Sequence, residues 1–358
     1  MYLNQLTLTN FKNYKSEKFA FSPALNFITG SNGAGKTNVL DAIHYLCLGK
    51  SYFHSIDLNS VMHTKNFFRL EGDFGNEEKL NITNVYQQGG KKELAKNSVV
   101  YQRIIDHVGL IPVVMITPDD QLLIDEGSEE RRRFIDNTIS QIDHTYLENL
   151  VAYNKVLQQR NAALKKFAEN RNVDHALLES YNEQLAASGK NIFSMRQKYF
   201  SSMIPLLEKK YELLSNQKEK VTATYNSVCS KENLLDALKR STAKDVATQR
   251  TNEGIHKDDF DFFLNTRSLK KFGSQGQKKS FLMALKFSQF EIIAAEKNET
   301  PLLLLDDLFD KLDEQRSENI LKLISSNGFG QVFITDTNEE RINKFSGQTN
   351  KEFEHWSI

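Results

Sequence analysis

Gly30-Ser31-Asn32-Gly33-Ala34-Gly35-Lys36-Thr37 is the stretch that decides how this chain is read. It fits the pattern G-x-x-x-x-G-K-[ST]. Glycines let the backbone curl so that successive N–H groups turn inward toward phosphate oxygens. The start of the following helix adds its partial positive charge. On this reading Gly30, Ser31, Asn32, Gly33, Ala34, Gly35 and Asn38 surround the phosphates. Lys36 reaches the β- and γ-phosphates and acts in catalysis, and the Thr37 hydroxyl holds Mg²⁺. ATP and Mg²⁺ are therefore the expected cofactors. An ordinary glycine turn is the bland alternative. Against it stand the apolar run Leu25–Thr29 just before the loop and a helical pattern just after it, with Leu40, Ile43 and Leu46 on one face.

Outward from the loop, the next chemical signal is Leu302-Leu303-Leu304-Leu305-Asp306-Asp307. An apolar strand delivers two carboxylates to its C-terminal end, where ligands bind in open α/β sheets. Asp306 is the expected metal anchor, and Asp307 the candidate to polarise an attacking water. Acids after a hydrophobic strand are common, so the upstream phosphate loop gives this pair its weight. The third signal is Phe272-Gly273-Ser274-Gln275-Gly276-Gln277-Lys278-Lys279, small and polar residues opening a helix. Alone it reads equally well as a linker. In order, the loop, a helical stretch, Ser-x-Gly-Gln and Asp-Asp resemble the ABC-type ATPases. That resemblance implies an ATP-dependent homodimer in which Ser274 acts in trans on the nucleotide of the other subunit. It also implies that Asp313, six residues after Asp307, is the D-loop aspartate. Gln121 is a candidate Q-loop glutamine. Asp336 stands where that class has its switch histidine, a departure that argues against a transporter motor.

Lysine and arginine number 46, as do aspartate and glutamate, so the formal charge is zero and advertises no polyanion. The balance is uneven, however. Residues 147–220 carry 12 basic against 8 acidic side chains, and residues 301–358 carry 6 against 11. A solvated helix face is the better account of so mild an excess, and a basic surface for a polyanion has to be argued from elsewhere. With 39% hydrophobic residues, no apolar run approaching about 18 residues and two cysteines, Cys47 and Cys229, far apart, three classes drop out. These are disulfide scaffolds, integral membrane proteins and cysteine-based zinc modules. No signal peptide is visible, and a cytoplasmic protein without membrane attachment is expected.

Residues 128 to about 215 are rich in Leu, Ala, Lys, Gln and Glu, with a single proline and a single glycine. The expected organisation is an α/β fold, an ABC-type P-loop ATPase head. Its lobe I, a mixed sheet, would come from residues 1–127 and 221–358, and its lobe II would be a mainly helical insert at 128–220.

Beyond the shared ATPase motifs, the chain resembles the RecF family of recombination mediator ATPases over nearly its whole length. Leu8-Thr9-Asn10-Phe11-Lys12-Asn13-Tyr14 is similar to the family's opening strand and turn. Pro118-Asp119-Asp120, with Gly127 and Arg131-Arg132-Arg133-Phe134-Ile135-Asp136, resembles its most distinctive block. Gly254, His256 and Asp258-Asp259 match a later block, with Ile255 and Lys257 as departures. The resemblance implies an SMC-like head without long coiled-coil arms and a weak DNA-stimulated ATPase of DNA repair, replication and recombination. It further implies a place in the SOS response to DNA damage and binding of double-stranded DNA at ss/ds junctions near single-stranded gaps. RecR, RecO and RecA are the implied partners. Lys165, Lys166, Arg196, Lys270 and Lys271 are the candidate DNA contacts, each of which also reads as a solvated charge. A nucleotide-gated DNA-binding module with incidental hydrolysis, another SMC-like mechanical ATPase and a small-molecule kinase remain as alternatives.

Overall fold

The structure, a computed structural model, describes residues 1–75, 79–215, 219–307, 320, 323–324, 328–339, 342 and 352–358. Along the chain run β1 (Leu3–Phe11), β2 (Tyr14–Ala20), β3 (Leu25–Thr29), α1 (Lys36–Leu48), β4 (Phe67–Phe74), β5 (Leu80–Gln87), β6 (Glu93–Lys96), β7 (Val99–Val100) and β8 (Val113–Ile116). Next come α2 (Leu122–Asp125), α3 (Ser128–Ile142), α4 (His144–Asn170), α5 (His175–Ser215), β9 (Val221–Asn226), α6 (Leu234–Thr248), β10 (Asp259–Leu264), β11 (Arg267–Ser268), α7 (Leu269–Phe272) and α8 (Gln275–Lys297). Then follow β12 (Leu302–Leu305), β13 (Val332–Asp336) and β14 (Phe353–Ser357). No helix among the described residues is long and apolar enough to cross a membrane.

The chain divides into two compact units. The first comprises Met1–Asp120, Leu213–Gln217 and Met283–Ile358. It holds an antiparallel sheet in the order β2-β1-β4-β5-β6-β7 and a parallel sheet in the order β14-β3-β13-β12-β8. Strand β12 lies between β13 and β8 with every leucine buried, which is why it reads as an unbroken apolar run rather than an alternating one. Strand β1 instead alternates, with Leu6 and Leu8 turned inward. Helix α1 is buried on nearly all sides, and one apolar cluster runs from β1 and β4 through α1 to Leu302 and Leu304 of β12. Gly49 ends α1 at φ 69°, a left-handed cap that its missing Cβ permits.

The second unit comprises Gln121–Glu212 and Lys218–Leu282. Its long helices α3, α4 and α5 are those expected of the insert. The sequence reading assigns residues 221–358 to lobe I, whereas this division groups residues 221–282 with the helices. The reason lies in the packing of β9 and β10. Phe260 of β10 stacks on Tyr225 of β9 with ring centroids 4.7 Å apart, and Phe200 of α5 closes on Phe260 at 5.3 Å. Helix α3 starts with Glu129 and Glu130 in its first turn, where acids suit the helix dipole. Its next residues tie the strands down. Arg131 pairs with Asp259 at 2.8 Å, and Arg132 donates to the Asp258 carbonyl at 2.7 Å. Arg131 and Arg132 thus lock α3 to the Asp258-Asp259 pair at the start of β10 within one unit, while Arg133 pairs with Glu129 and Glu130 of its own helix.

Candidate nucleotide site

Strand β3 ends at Thr29, and the loop that follows needs glycine at its tightest points. Gly33 has φ 83° and Gly35 φ 121°, both in the region that side-chain-bearing residues avoid. A Cβ on Gly35 would lie 2.5 Å from Asn13 Nδ2 and 2.7 Å from the Tyr14 hydroxyl. Helix α1 begins without a capping side chain and without an acid in its first turn, so its dipole is left uncompensated at the loop. Lys36, 5% exposed, donates from Nζ to the carbonyls of Gly30 at 2.9 Å and Ser31 at 3.0 Å. Its ammonium therefore spans the start of the loop.

Asn13, in the turn between β1 and β2, has a part the sequence did not suggest. Its Nδ2 donates to the Ala34 carbonyl at 2.8 Å, and its Oδ1 accepts from Asn38 Nδ2 at 2.8 Å. One amide thus ties the end of the glycine turn to the first turn of α1. The only signal was its place in the Leu8–Tyr14 stretch, and an asparagine there reads as turn chemistry.

Strand β12 delivers Asp306 to the same place. Thr37 Oγ1 donates to its carboxylate, 2.9 Å from Oδ1 and 3.0 Å from Oδ2, and Thr335 Oγ1 donates to Oδ1 at 2.8 Å. Burial raises the Asp306 pKa above the ordinary carboxylate value. The neighbouring Asp307 charge pushes the same way, against the Thr335 and Thr37 hydroxyls and the Lys36 charge. A desolvated carboxylate beside a hydroxyl oxygen is a hard, cation-seeking pair that fits Mg²⁺, an ion that takes few protein ligands and completes its shell with phosphate and water oxygens. No group of three or more His, Cys, Asp or Glu side chains that could hold a metal is found among the described residues. Asp307 follows with φ 40°, a left-handed backbone uncommon outside glycine, and its N–H donates to Thr335 Oγ1 at 2.9 Å. At the end of β13, Asp336 is 4% exposed and its Oδ1 accepts from the Asn338 N–H at 2.8 Å, so it caps the following turn. Asp313 lies outside the described residues.

The Ser274 stretch belongs to the second unit. Ser274 precedes α8, its Oγ accepts from the Gln277 N–H at 3.3 Å, and the Gln277 Oε1 accepts from the Ser274 N–H at 2.7 Å. This reciprocal pair is a capping box, which identifies S-x-x-Q as a helix start independent of any family likeness. Gln121 does not stand alone as a loop glutamine: its Nε2 donates to Gln275 Oε1 at 2.7 Å and to Asp125 at 2.9 Å.

One expected DNA contact is overturned. Arg196 is 1% exposed, with Nη2 2.9 Å from Asp136 and Nη1 2.9 Å from Asp258. It is a core ion pair and offers nothing to a polyanion. Lys270 is exposed but donates to the Glu126 carbonyl at 3.0 Å, while Lys165, Lys166 and Lys271 are exposed.

The family model for the RecF/RecN/SMC N terminal domain matches residues 2–353. The DNA replication and repair protein RecF of Flavobacterium johnsoniae is 44% identical over 99% of both chains. That of Cytophaga hutchinsonii is 38% identical over 100% of this chain and 95% of its own. Among solved structures, the recombination mediator protein RecF with ATP in the RecFOR pathway superposes with a TM-score of 0.89 at 32% identity, covering 100% of this chain and 95% of that one. An Smc head domain from Pyrococcus furiosus gives 0.56 at 16% identity over 96% of this chain and 91% of its own, a likeness of fold alone.

Proposed function

The chain belongs to the RecF family of DNA replication and repair proteins, with the ABC-type ATPase head of the SMC class, and from that membership we propose that it is an ATP-operated clamp for duplex DNA. The observation that supports this reading most strongly is the pairing of Thr37 with Asp306 across 269 residues of sequence, which joins the phosphate loop to the acidic strand end. Lys36 and the loop N–H groups bind the phosphate chain. Thr37 and Asp306 would hold Mg²⁺, which would supply charge neutralisation for the phosphate chain. Asp307 accepts a proton from the attacking water. Its side chain is one methylene shorter than glutamate, so turnover is slow. Ser274 of a second copy completes the γ-phosphate site, and ATP thereby joins two heads. Closed heads bind double-stranded DNA through the backbone at ss/ds junctions, with Lys165, Lys166 and Lys271 releasing counterions and DNA stimulating hydrolysis. The solved relative works in the RecFOR pathway, so RecR and RecO are the proposed partners and loading of RecA the proposed outcome.

Sedimentation velocity with Mg·ATP and a short gapped duplex tests this. Wild type is expected to shift to a DNA-bound dimer, and Ser274→Arg and Lys36→Arg to remain monomeric. A Lys36→Arg protein that still closes with ATP would sink the mechanism. The strained Asp307 favours a second reading, a nucleotide-gated DNA module in which hydrolysis is incidental. An ATPase rate indifferent to both DNA and Asp307→Asn would select it.

A further inference from the structure

Ser274 is oriented by Gln277, and Gln277 is itself held from outside the helix. Its side-chain amide accepts from the Ser274 N–H through Oε1 and donates through Nε2 to Glu219 Oε1 at 2.5 Å. The other carboxylate oxygen of Glu219 accepts from the Tyr211 hydroxyl at 2.8 Å, near the C-terminal end of α5. An ionised carboxylate can only accept. It therefore fixes which way the Gln277 amide faces: NH₂ toward Glu219, carbonyl toward Ser274. Without that constraint the amide can turn over, presenting NH₂ to the Ser274 N–H, donor against donor, and the capping box opens. All four residues lie within the second unit, and Glu219 and Gln277 line the same cavity of about 460 Å³ beside Gly273 and the 66%-exposed Phe272.

We propose that Glu219 is a positioning residue for the trans-acting serine, the link through which Tyr211 of α5 sets the geometry of Ser274 by way of Gln277. This rests on the reading that Ser274 completes the nucleotide site of a second copy. Glu219 touches neither nucleotide nor metal in that scheme. It belongs to no motif singled out from the sequence, because its partners lie 8 and 58 residues away.

The test measures two quantities on the full chain: the affinity of the monomer for a fluorescent ATP analogue, and the ATP-dependent dimer by sedimentation velocity. Glu219→Ala is expected to leave the first within about twofold and to weaken dimerisation roughly tenfold or more, as loss of a charge-assisted hydrogen bond would. Glu219→Gln is expected to restore dimerisation, since its carbonyl still accepts from Gln277 and its NH₂ can donate to the Tyr211 oxygen. Tyr211→Phe, which leaves Glu219 in place, is expected to weaken dimerisation less than Glu219→Ala does, and it serves if the alanine variant misfolds. Unchanged dimerisation in Glu219→Ala, or no rescue by glutamine, overturns the proposal. Failure of wild type to dimerise, or dimerisation of Ser274→Arg, instead overturns the clamp reading beneath it.

Discussion

Replacing Arg196 with alanine is the substitution that most sharply separates a core role from a DNA-binding one. The guanidinium is itself buried: Nε and Nη2 reach Asp136 at 3.0 Å each, and Nη1 reaches the Ile255 carbonyl at 2.8 Å and Asp258 at 2.9 Å. Asp258 is 1% exposed, and its Oδ1 has no hydrogen-bond partner among the described residues even with the arginine present. Removing one member of a buried pair leaves the other charge stranded, at a cost of about 3–5 kcal/mol. In a unit of this size each kcal/mol moves the melting temperature by roughly 2–4 °C, so a drop of about 6–20 °C is expected. Burial already raises the Asp258 pKa above the ordinary carboxylate value, with the arginine charge opposing it. Losing that charge raises it further, so the variant recovers stability as pH falls and Asp258 takes up a proton. Thermal melts of Arg196→Ala at pH 7.5 and pH 5.5, with DNA affinity measured well below the melting point, decide the matter. An unchanged melting temperature together with lost DNA binding would refute the burial argument and return Arg196 to the interface.

Gly35→Ala forces a Cβ against Asn13 and a left-handed φ on alanine, so ATP-analogue binding should be lost, as measured by fluorescence titration, while circular dichroism stays that of the wild type. Thr37→Val and Asp306→Asn should each retain nucleotide in the absence of Mg²⁺ but lose the Mg²⁺-dependent gain in affinity, measured by calorimetry with and without the metal. Lys165→Ala with Lys166→Ala should lower the slope of log affinity against log salt by about 1–2 if both neutralise phosphates, and an unchanged slope would remove them from the DNA surface. Burial lowers the pKa of His44 to about 4 and that of His256 to about 4, from ordinary values near 6.5. The unfolded chain therefore binds more protons between those values, and stability present at pH 7 should fall as pH drops toward 4. His44→Gln, which keeps a donor for the Lys50 carbonyl, should flatten that slope in pH-dependent melts; a slope as steep as the wild type's would sink this assignment.

What could be read from sequence was what is local in sequence. The phosphate loop is a run of consecutive residues whose glycine spacing states its own geometry, and β12 announces itself because a strand buried on both faces has no polar alternation. Their meeting at Thr37 and Asp306 followed from chemistry, since a hydroxyl and a carboxylate are both needed around one ion. Arg196 was misjudged because its partners lie 60 and 62 residues away, and an arginine on a helix looks the same whether it faces water or two aspartates. The short strands β9 and β10 carried no mark of which sheet they would join, and only the Phe200, Tyr225 and Phe260 rings settle them beside α5. Asn13 and Glu219 escaped notice for a related reason: each acts by fixing the orientation of a neighbour, and orientation leaves no trace in spacing.

The interleaving of the two units has a consequence for how the molecule is made. Strand β3 is synthesised early, yet its flanking neighbours β13 and β14 are among the last segments to be added. At about 5–20 residues per second, the 269 residues between Thr37 and Asp306 take roughly 13–54 s to emerge. For that interval the nascent chain carries a glycine loop without its acidic partner and an apolar strand without its neighbours. All of the second unit is translated in the same interval, with the residues of its core already on hand. A ribosome stalled before β12 therefore releases a protein with one finished half and no assembled phosphate site, a product for chaperones and proteases rather than a slow enzyme.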